Sequence, residues 1–225
     1  MDRAALQSGR DPSKVVLLGA AKEQPPKLIA EACRRGLSHV GENFAQEALV
    51  KIPKVQKLLI DTDLPTPSWH FIGSLQRNKA RLIVPLVSCV QSVDRQSLAK
   101  ELNIRARNSK KVLDIMIQVN ISREASKSGV LPNEVADLLS ACANLHNLRT
   151  IGLMAIPAPE GNLELTRAPF RLLRELRDSL KNTPEGSDLE HLSMGMSNDF
   201  EVAIEEGATM VRVGTRLFGN RKEIK

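Results

Sequence analysis

Apolar runs of strand length alternate with amphipathic stretches of helical period through almost the whole chain. No other feature of the sequence constrains the fold as much. Strand patterns are expected at 15–20, 39–43, 68–73, 89–93, 113–120, 148–156, 189–195 and 210–214. Helical patterns follow at 26–35, 45–59, 78–86, 95–107, 132–145, 164–181 and 198–206, with a last short helix from Thr215. The helix at 45–59 is expected to kink at Pro53, and the helix at 164–181 to carry Phe170, Leu172, Leu173, Leu176 and Leu180 on its apolar face. A short apolar run bounded by Gly or Pro reads as a buried strand, and a 3.6-residue period reads as a helix with one face in the core. Strict β-then-α alternation argues for a parallel sheet. Eight such units in 225 residues fit a closed (β/α)8 barrel, one α/β domain spanning 1–225, better than an open doubly wound sheet. Residues 1–14 form a short polar lead with one or two helical turns.

Charge and cysteine content narrow the function classes. The formal charge is +6, but the basic clusters at 34–35, 77–81 and 110–111 lie far apart and have no interleaved aromatic residues. That pattern reads as a solvated surface rather than a nucleic-acid interface. The three cysteines, Cys33, Cys89 and Cys142, are odd in number and none stands in a Cys-x-x-Cys pair. They read as buried small hydrophobes in a reduced compartment, not as a disulfide framework or a zinc site. Residues 1–5 show no apolar leader and no apolar run approaches the length of a membrane span, so a cytoplasmic protein without membrane contact is expected. Neither Gly-x-Gly-x-x-Gly nor a P-loop pattern occurs.

In a barrel of this kind the active site lies at the C-terminal ends of the strands. Lys22 follows the first apolar run, behind Gly19, Ala20 and Ala21, whose small side chains leave room around the amine. A partly desolvated amine has a lowered pKa and can attack a carbonyl. An ordinary charged residue opening a loop is the alternative. Asn43 ends the second strand, Gly73-Ser74 follows the third and Asn120 ends the fifth. Gly195-Met196-Ser197 and Gly214-Thr215 end the seventh and eighth. Glycines that admit a ligand close to the backbone, with hydroxyls at helix starts, suit a phosphate at the position this fold commonly uses. Ser197 and Thr215 are otherwise read as helix N-caps, and Asp199 and Glu201 count somewhat against an anion there. Period-two alternation places Arg212 on the same face as Gly214, where a buried guanidinium needs either a carboxylate or a ligand atom as acceptor. His70, inside the third strand, reads as a satisfied core histidine before a catalytic one. A reactive lysine and a phosphate cradle together point to a phosphorylated aldehyde or ketone, either pyridoxal phosphate or a class I aldolase substrate.

The sequence resembles the pyridoxal phosphate homeostasis proteins, single-domain relatives of the alanine racemase barrel. The resemblance is carried by Gly41-Glu42-Asn43, by Trp69-His70-Phe71-Ile72-Gly73 with Gln76-Arg77-Asn78-Lys79, and by Gln118-Val119-Asn120 with Lys127-Ser128-Gly129. Gly152-Leu153-Met154-Ala155-Ile156-Pro157, the run from Leu192 to Asp199, and Val211-Arg212-Val213-Gly214-Thr215 complete it. It implies the alanine racemase N-terminal fold and pyridoxal phosphate as cofactor, held as a Schiff base on Lys22. Ser197, Gly214 and Thr215 would hold the phosphate. Arg212 would face the pyridine nitrogen, Asn43 the side of the ring, and Met154 and Met196 would pack nearby. An arginine at that nitrogen keeps it unprotonated and makes the ring a poorer electron sink, which disfavours carbanion chemistry. The resemblance further implies a monomeric cofactor carrier in intracellular supply, without a robust reaction, with pyridoxal phosphate-dependent apo-enzymes as recipients. A weak enzyme acting on amino acids, with His70 or Lys22 as base, is the alternative, and a Schiff-base aldolase the third reading. The alanine racemases use a tyrosine as the second base. These 225 residues contain no tyrosine, which excludes a lysine–tyrosine two-base racemase within them. The lysine segment departs from the family, reading Ala20-Ala21-Lys22-Glu23-Gln24-Pro25 where a hydroxyl precedes the lysine and a base follows it, and the lead before it is shorter.

Overall fold

The computed structural model describes residues 1–60, 62, 65–124, 126–157 and 163–219, with side chains from 165 onward in the last stretch. Eight strands form the centre: β1 (Val16–Ala20), β2 (His39–Glu42), β3 (Ser68–Phe71), β4 (Cys89–Val93), β5 (Leu113–Val119), β6 (Leu148–Ala155), β7 (His191–Ser193) and β8 (Met210–Val213). All pair in parallel in chain order, and β8 returns to β1 with Val16 opposite Met210, so the barrel is closed despite the short lead. The helices are α1 (Asp2–Gln7), α2 (Pro26–Arg34), α3 (Ala45–Leu59), α4 (Ala80–Ile83), α5 (Gln96–Asn108), α6 (Val135–Ala143), α7 (Leu163–Lys181), α8 (Phe200–Glu205) and α9 (Thr215–Phe218).

The core has two shells. Ile29, Ile52, Leu98, Leu102 and Phe170 fill the space between strands and helices. Leu18, Ile72, Cys89, Met116, Met154 and Met210 form a separate cluster inside the barrel. Each such side chain contributes about 1.5–3 kcal/mol by leaving water. The three cysteines are free and buried; burial pushes the thiols of Cys33 and Cys142 up to about 11 and raises that of Cys89 as well. The polar lead is tied down by Arg10, whose Nη1 donates to the carbonyls of Ile204 (2.6 Å) and Ala208 (2.8 Å). No described helix is long and apolar enough to cross a membrane.

The expected elements are present, with local differences. Residues 77–86 are not one helix: α4 is flanked by 3-10 turns at Arg77–Lys79 and Val84–Leu86. Pro85 has no N–H to donate, so the α-helical ladder loses a bond there, while Val84 before it keeps helical angles (φ −52°, ψ −42°). The helix expected at 132–145 likewise opens as a 3-10 turn at Pro132–Glu134 before α6. α3 runs unbroken over 45–59, as expected, with Pro53 inside it; Pro53 and Leu49 lie toward solvent, where water can take the carbonyl that loses its partner. Leu172 is 43 % exposed and leaves the apolar face of α7 to Phe170, Leu173 and Leu180.

Candidate active site at the C-terminal ends of the strands

The residues singled out from the sequence fall on neighbouring strand ends. Lys22 lies in the turn that leaves β1, Asn43 follows β2, Gly214 and Thr215 follow β8, and Met196 and Ser197 follow β7. The register that sets Gly19 beside Val213 and Ala20 beside Gly41 brings the Lys22 turn between the exits of β8 and β2. Met154, near the end of β6, is buried inside the barrel, whereas Met196 is 37 % exposed on its loop.

Neither hydroxyl is an N-cap. Asp199 precedes α8 and Gly214 precedes α9, so Ser197 lies outside its helix and Thr215 inside. Among the described residues nothing hydrogen-bonds either hydroxyl. Asp199 turns its carboxylate onto the loop backbone, where Oδ1 accepts from Met196 N–H at 2.6 Å, and Glu201 pairs distantly with Arg3. At Gly214 a Cβ would stand 3.2 Å from the Ala20 carbonyl oxygen, so β1 and β8 leave the cradle little depth to spare.

Arg212 is 4 % exposed and projects into the barrel. Its Nη1 donates to Ser193 O and Oγ, both at 2.7 Å, and its Nη2 to Ala155 O at 2.8 Å. No carboxylate forms an ion pair with it among the described residues. Burial brings its pKa down to about 10, only partly opposed by Asp199, so the guanidinium still carries its charge at neutral pH. His70 is a satisfied core residue, as expected. Its Nδ1 and Nε2 lie 3.0 Å from Gln91 Nε2 and His39 Nδ1, and burial with the neighbouring histidines holds its pKa down to about 3.

A cavity of about 260 Å³ opens beside Asn43, lined also by Ile72, Gly73, Ser74, Gln118 and Lys127. Asn43 Oδ1 is buried and has no hydrogen-bond partner among the described residues. The loop after β5 is drawn over this cavity by Asn120, whose Nδ2 donates to Glu124 O at 2.8 Å, and by Gln118, whose Nε2 donates to Ser128 O at 3.1 Å.

Sequence reasoning missed the group under the Lys22 turn. Lys51 of α3 is buried, and its Nζ lies 2.7 Å from Glu42 Oε1, from Glu47 Oε2 and from the Ala21 carbonyl oxygen. Glu47 Oε2 also accepts the N–H of Glu23, which takes the left-handed φ of 62°. Burial pushes the Glu42 carboxyl up against the pull of Lys51, while at Glu47 Lys51 and the Glu23 N–H outweigh burial and hold it down. The available signal was a lysine on the apolar face of α3, between Ala48 and Val55.

The chain matches the family model described as alanine racemase, N-terminal domain, over residues 22–222. It is 46 % identical over 222 residues to the pyridoxal phosphate homeostasis protein of Aquifex aeolicus, covering 99 % of this chain and 94 % of that one. It is 42 % identical over 219 residues to the protein of the same name from Escherichia coli K12, covering 97 % and 91 %. PipY of Synechococcus elongatus, solved with pyridoxal phosphate bound, superposes with a TM-score of 0.82 at 34 % identity, over 97 % of this chain and 99 % of that one. Alanine racemase of Corynebacterium glutamicum shares the fold at a TM-score of 0.63 and 16 % identity, with 59 % of its chain covered. By sequence and by fold alike, the chain belongs to the pyridoxal phosphate homeostasis protein family, built on the alanine racemase N-terminal barrel.

Proposed function

We propose that residues 1–225 act as a single unit that binds pyridoxal 5'-phosphate and holds it as a Schiff base on Lys22, serving intracellular cofactor homeostasis without a robust reaction of its own. The observation that carries this is the buried Arg212, a charged guanidinium without an acidic partner among the described residues, set below the strand ends that bear Lys22, Asn43, Ser197, Gly214 and Thr215. The residues fit the cofactor. Ser197 and Thr215 have hydroxyls to give to a phosphate, and Asn43 has a buried oxygen without a partner. When bound, the cofactor supplies an aldehyde for an amine and an aromatic ring that withdraws electrons. Lys22 is the amine. Gly214 and Thr215 with Ser197 would hold the phosphate, Asn43 would contact the side of the ring, and Met154 and Met196 would pack nearby. Arg212 would donate to the pyridine nitrogen, and because it cannot give up its proton it would leave that nitrogen an acceptor and the ring a weak electron sink.

The enzyme reading is weaker at His70, whose low pKa and ring partners make it a poor base, which leaves Lys22 as the base that reading would need. Buried, unpaired thiols suit a reducing cytoplasm, and the carrier reading makes apo-enzymes the recipients of a monomeric donor. The test is an absorbance spectrum of the loaded protein before and after borohydride, with peptide mapping. A visible band fixed by reduction onto Lys22, lost in Lys22→Ala while phosphate-held cofactor persists, supports the assignment. A band that survives in Lys22→Ala moves the anchor elsewhere, to Lys79 first. Absence of any band on adding the cofactor overturns the binding reading, and turnover of any amino acid in a full panel overturns the carrier reading.

A further inference from the structure

Inside the barrel a line of polar side chains crosses the apolar cluster of Leu18, Met116, Met154 and Met210. Ser193 Oγ lies 2.7 Å from Gln91 Oε1, Gln91 Nε2 lies 3.0 Å from His70 Nδ1, and His70 Nε2 lies 3.0 Å from His39 Nδ1. With the 2.7 Å contact from Arg212 Nη1 to Ser193 Oγ, five side chains from β8, β7, β4, β3 and β2 are linked in series. The line crosses the barrel axis, since β7 and β4 are not neighbours. It runs from the site end to His39, the half-buried first residue of β2 at the opposite mouth.

Its direction is fixed by chemistry. A guanidinium only donates, so the Ser193 oxygen accepts from Arg212 and must place its own proton on Gln91 Oε1, its one acceptor within reach. That sets the Gln91 amide, whose Nε2 then donates to His70 Nδ1 and to Met210 Sδ at 3.0 Å. A neutral imidazole accepting at Nδ1 carries its proton on Nε2, which donates to His39 Nδ1. Every bond therefore points away from the ligand end. The titratable groups facing His70 are His39 and His191 at the starts of β2 and β7, and no carboxylate pairs with it among the described residues. Its depressed pKa agrees with a ring that must remain an acceptor.

We propose that Gln91 and His70 are positioning residues for Arg212, acting through Ser193 to hold the guanidinium at one place and in one orientation at the floor of the cofactor site. This rests on the cofactor reading above. A satisfied chain polarises along its length, and a link that cannot donate in the required direction is felt at the far end. Gln91→Glu is the informative change. A carboxylate still accepts from Ser193 but cannot donate to His70, so His70 must turn an Nδ1–H toward it, by switching tautomer or by taking up a proton that the new charge favours.

The chain is tested first in the unliganded protein, by nitrogen NMR of the imidazoles at neutral pH. His70 and His39 are both expected as Nε2–H tautomers, and an Nδ1–H His70 overturns the proposal. Absorbance titrations of the loaded wild type, Gln91→Glu and Gln91→Leu come second. The wild-type band should stay constant between about pH 5 and 8, and Gln91→Glu should add a titration in that range that a purely structural defect would not create. Both variants should bind the cofactor about tenfold more weakly, the worth of one charge-assisted hydrogen bond. Unchanged affinity and no new titration overturn the proposal. Should neither variant at Gln91 fold, Ser193→Ala cuts the same chain at another link and should weaken binding without the titration; unchanged binding there overturns the proposal equally. A wild type that shows no band refutes the cofactor reading instead, and the tautomers still decide whether the chain exists.

Discussion

The nearly buried Lys51 ammonium stands 2.7 Å from the fully buried Glu42 carboxylate, beneath the turn that carries Lys22. The same ammonium holds the Ala21 carbonyl, so one buried charge ties β1, β2 and α3 together. Lys51→Met leaves Glu42 buried and unpaired, which is expected to cost about 3–5 kcal/mol in denaturant unfolding. Adding Glu42→Gln should recover a large part, since a neutral amide has far less to lose by burial. A double variant no more stable than the single one would contradict this account.

Gly214 tests the phosphate cradle without touching charge. Its φ of −109° suits any residue, and an added Cβ meets Ala20 O at 3.2 Å, a contact that a small shift relieves. Gly214→Ala should therefore melt close to the wild type. It should bind pyridoxal phosphate at least about tenfold more weakly, because the methyl takes space that the phosphate needs. Calorimetry of cofactor binding beside a thermal melt separates the two effects.

His70 makes the fold acid-sensitive. Its folded pKa of about 3 lies below the ordinary value of 6.5, so the unfolded chain binds a proton that the folded protein refuses. The stability this gives is complete above about pH 6.5 and is lost as pH falls from there toward the folded value. Between pH 7 and 5 the loss is about 2 kcal/mol from this group. His39 and His191, also lowered by burial first, act in the same direction. Urea midpoints across this range should fall with acid, and less steeply in His70→Gln. Parallel curves would place the sensitivity elsewhere.

Gly129 holds the loop over the cavity beside Asn43. Its φ is 122°, and a Cβ there would stand 2.6 Å from Asn120 N and 2.8 Å from Val119 C, both backbone atoms that cannot swing away. Gly129→Ala should lower stability by about 1–3 kcal/mol and release the loop. Limited proteolysis should cut earlier near Lys127 in the variant than in the wild type.

The barrel was legible because strand and helix patterns of this strength leave few arrangements, and the same patterns put Lys22, Ser197 and Thr215 at neighbouring strand ends. Other features depended on relations between distant residues. Ser197 and Thr215 read as caps until the helix starts fall at Phe200 and Thr215. Lys51 looks like a surface charge because nothing local shows that Glu42 and Glu47 will meet it. The partners of Arg212 include two carbonyl oxygens, which no side-chain pattern can announce.

The three buried thiols have a consequence for selectivity. An aldehyde in a cell meets sulfur as readily as nitrogen, and a thiolate at the surface would divert it into a thiohemiacetal. Here each sulfur is walled off and held in its protonated, unreactive form by burial. On the reading proposed above, an incoming aldehyde would meet Lys22 without a competing sulfur nucleophile, because the cysteines are hidden.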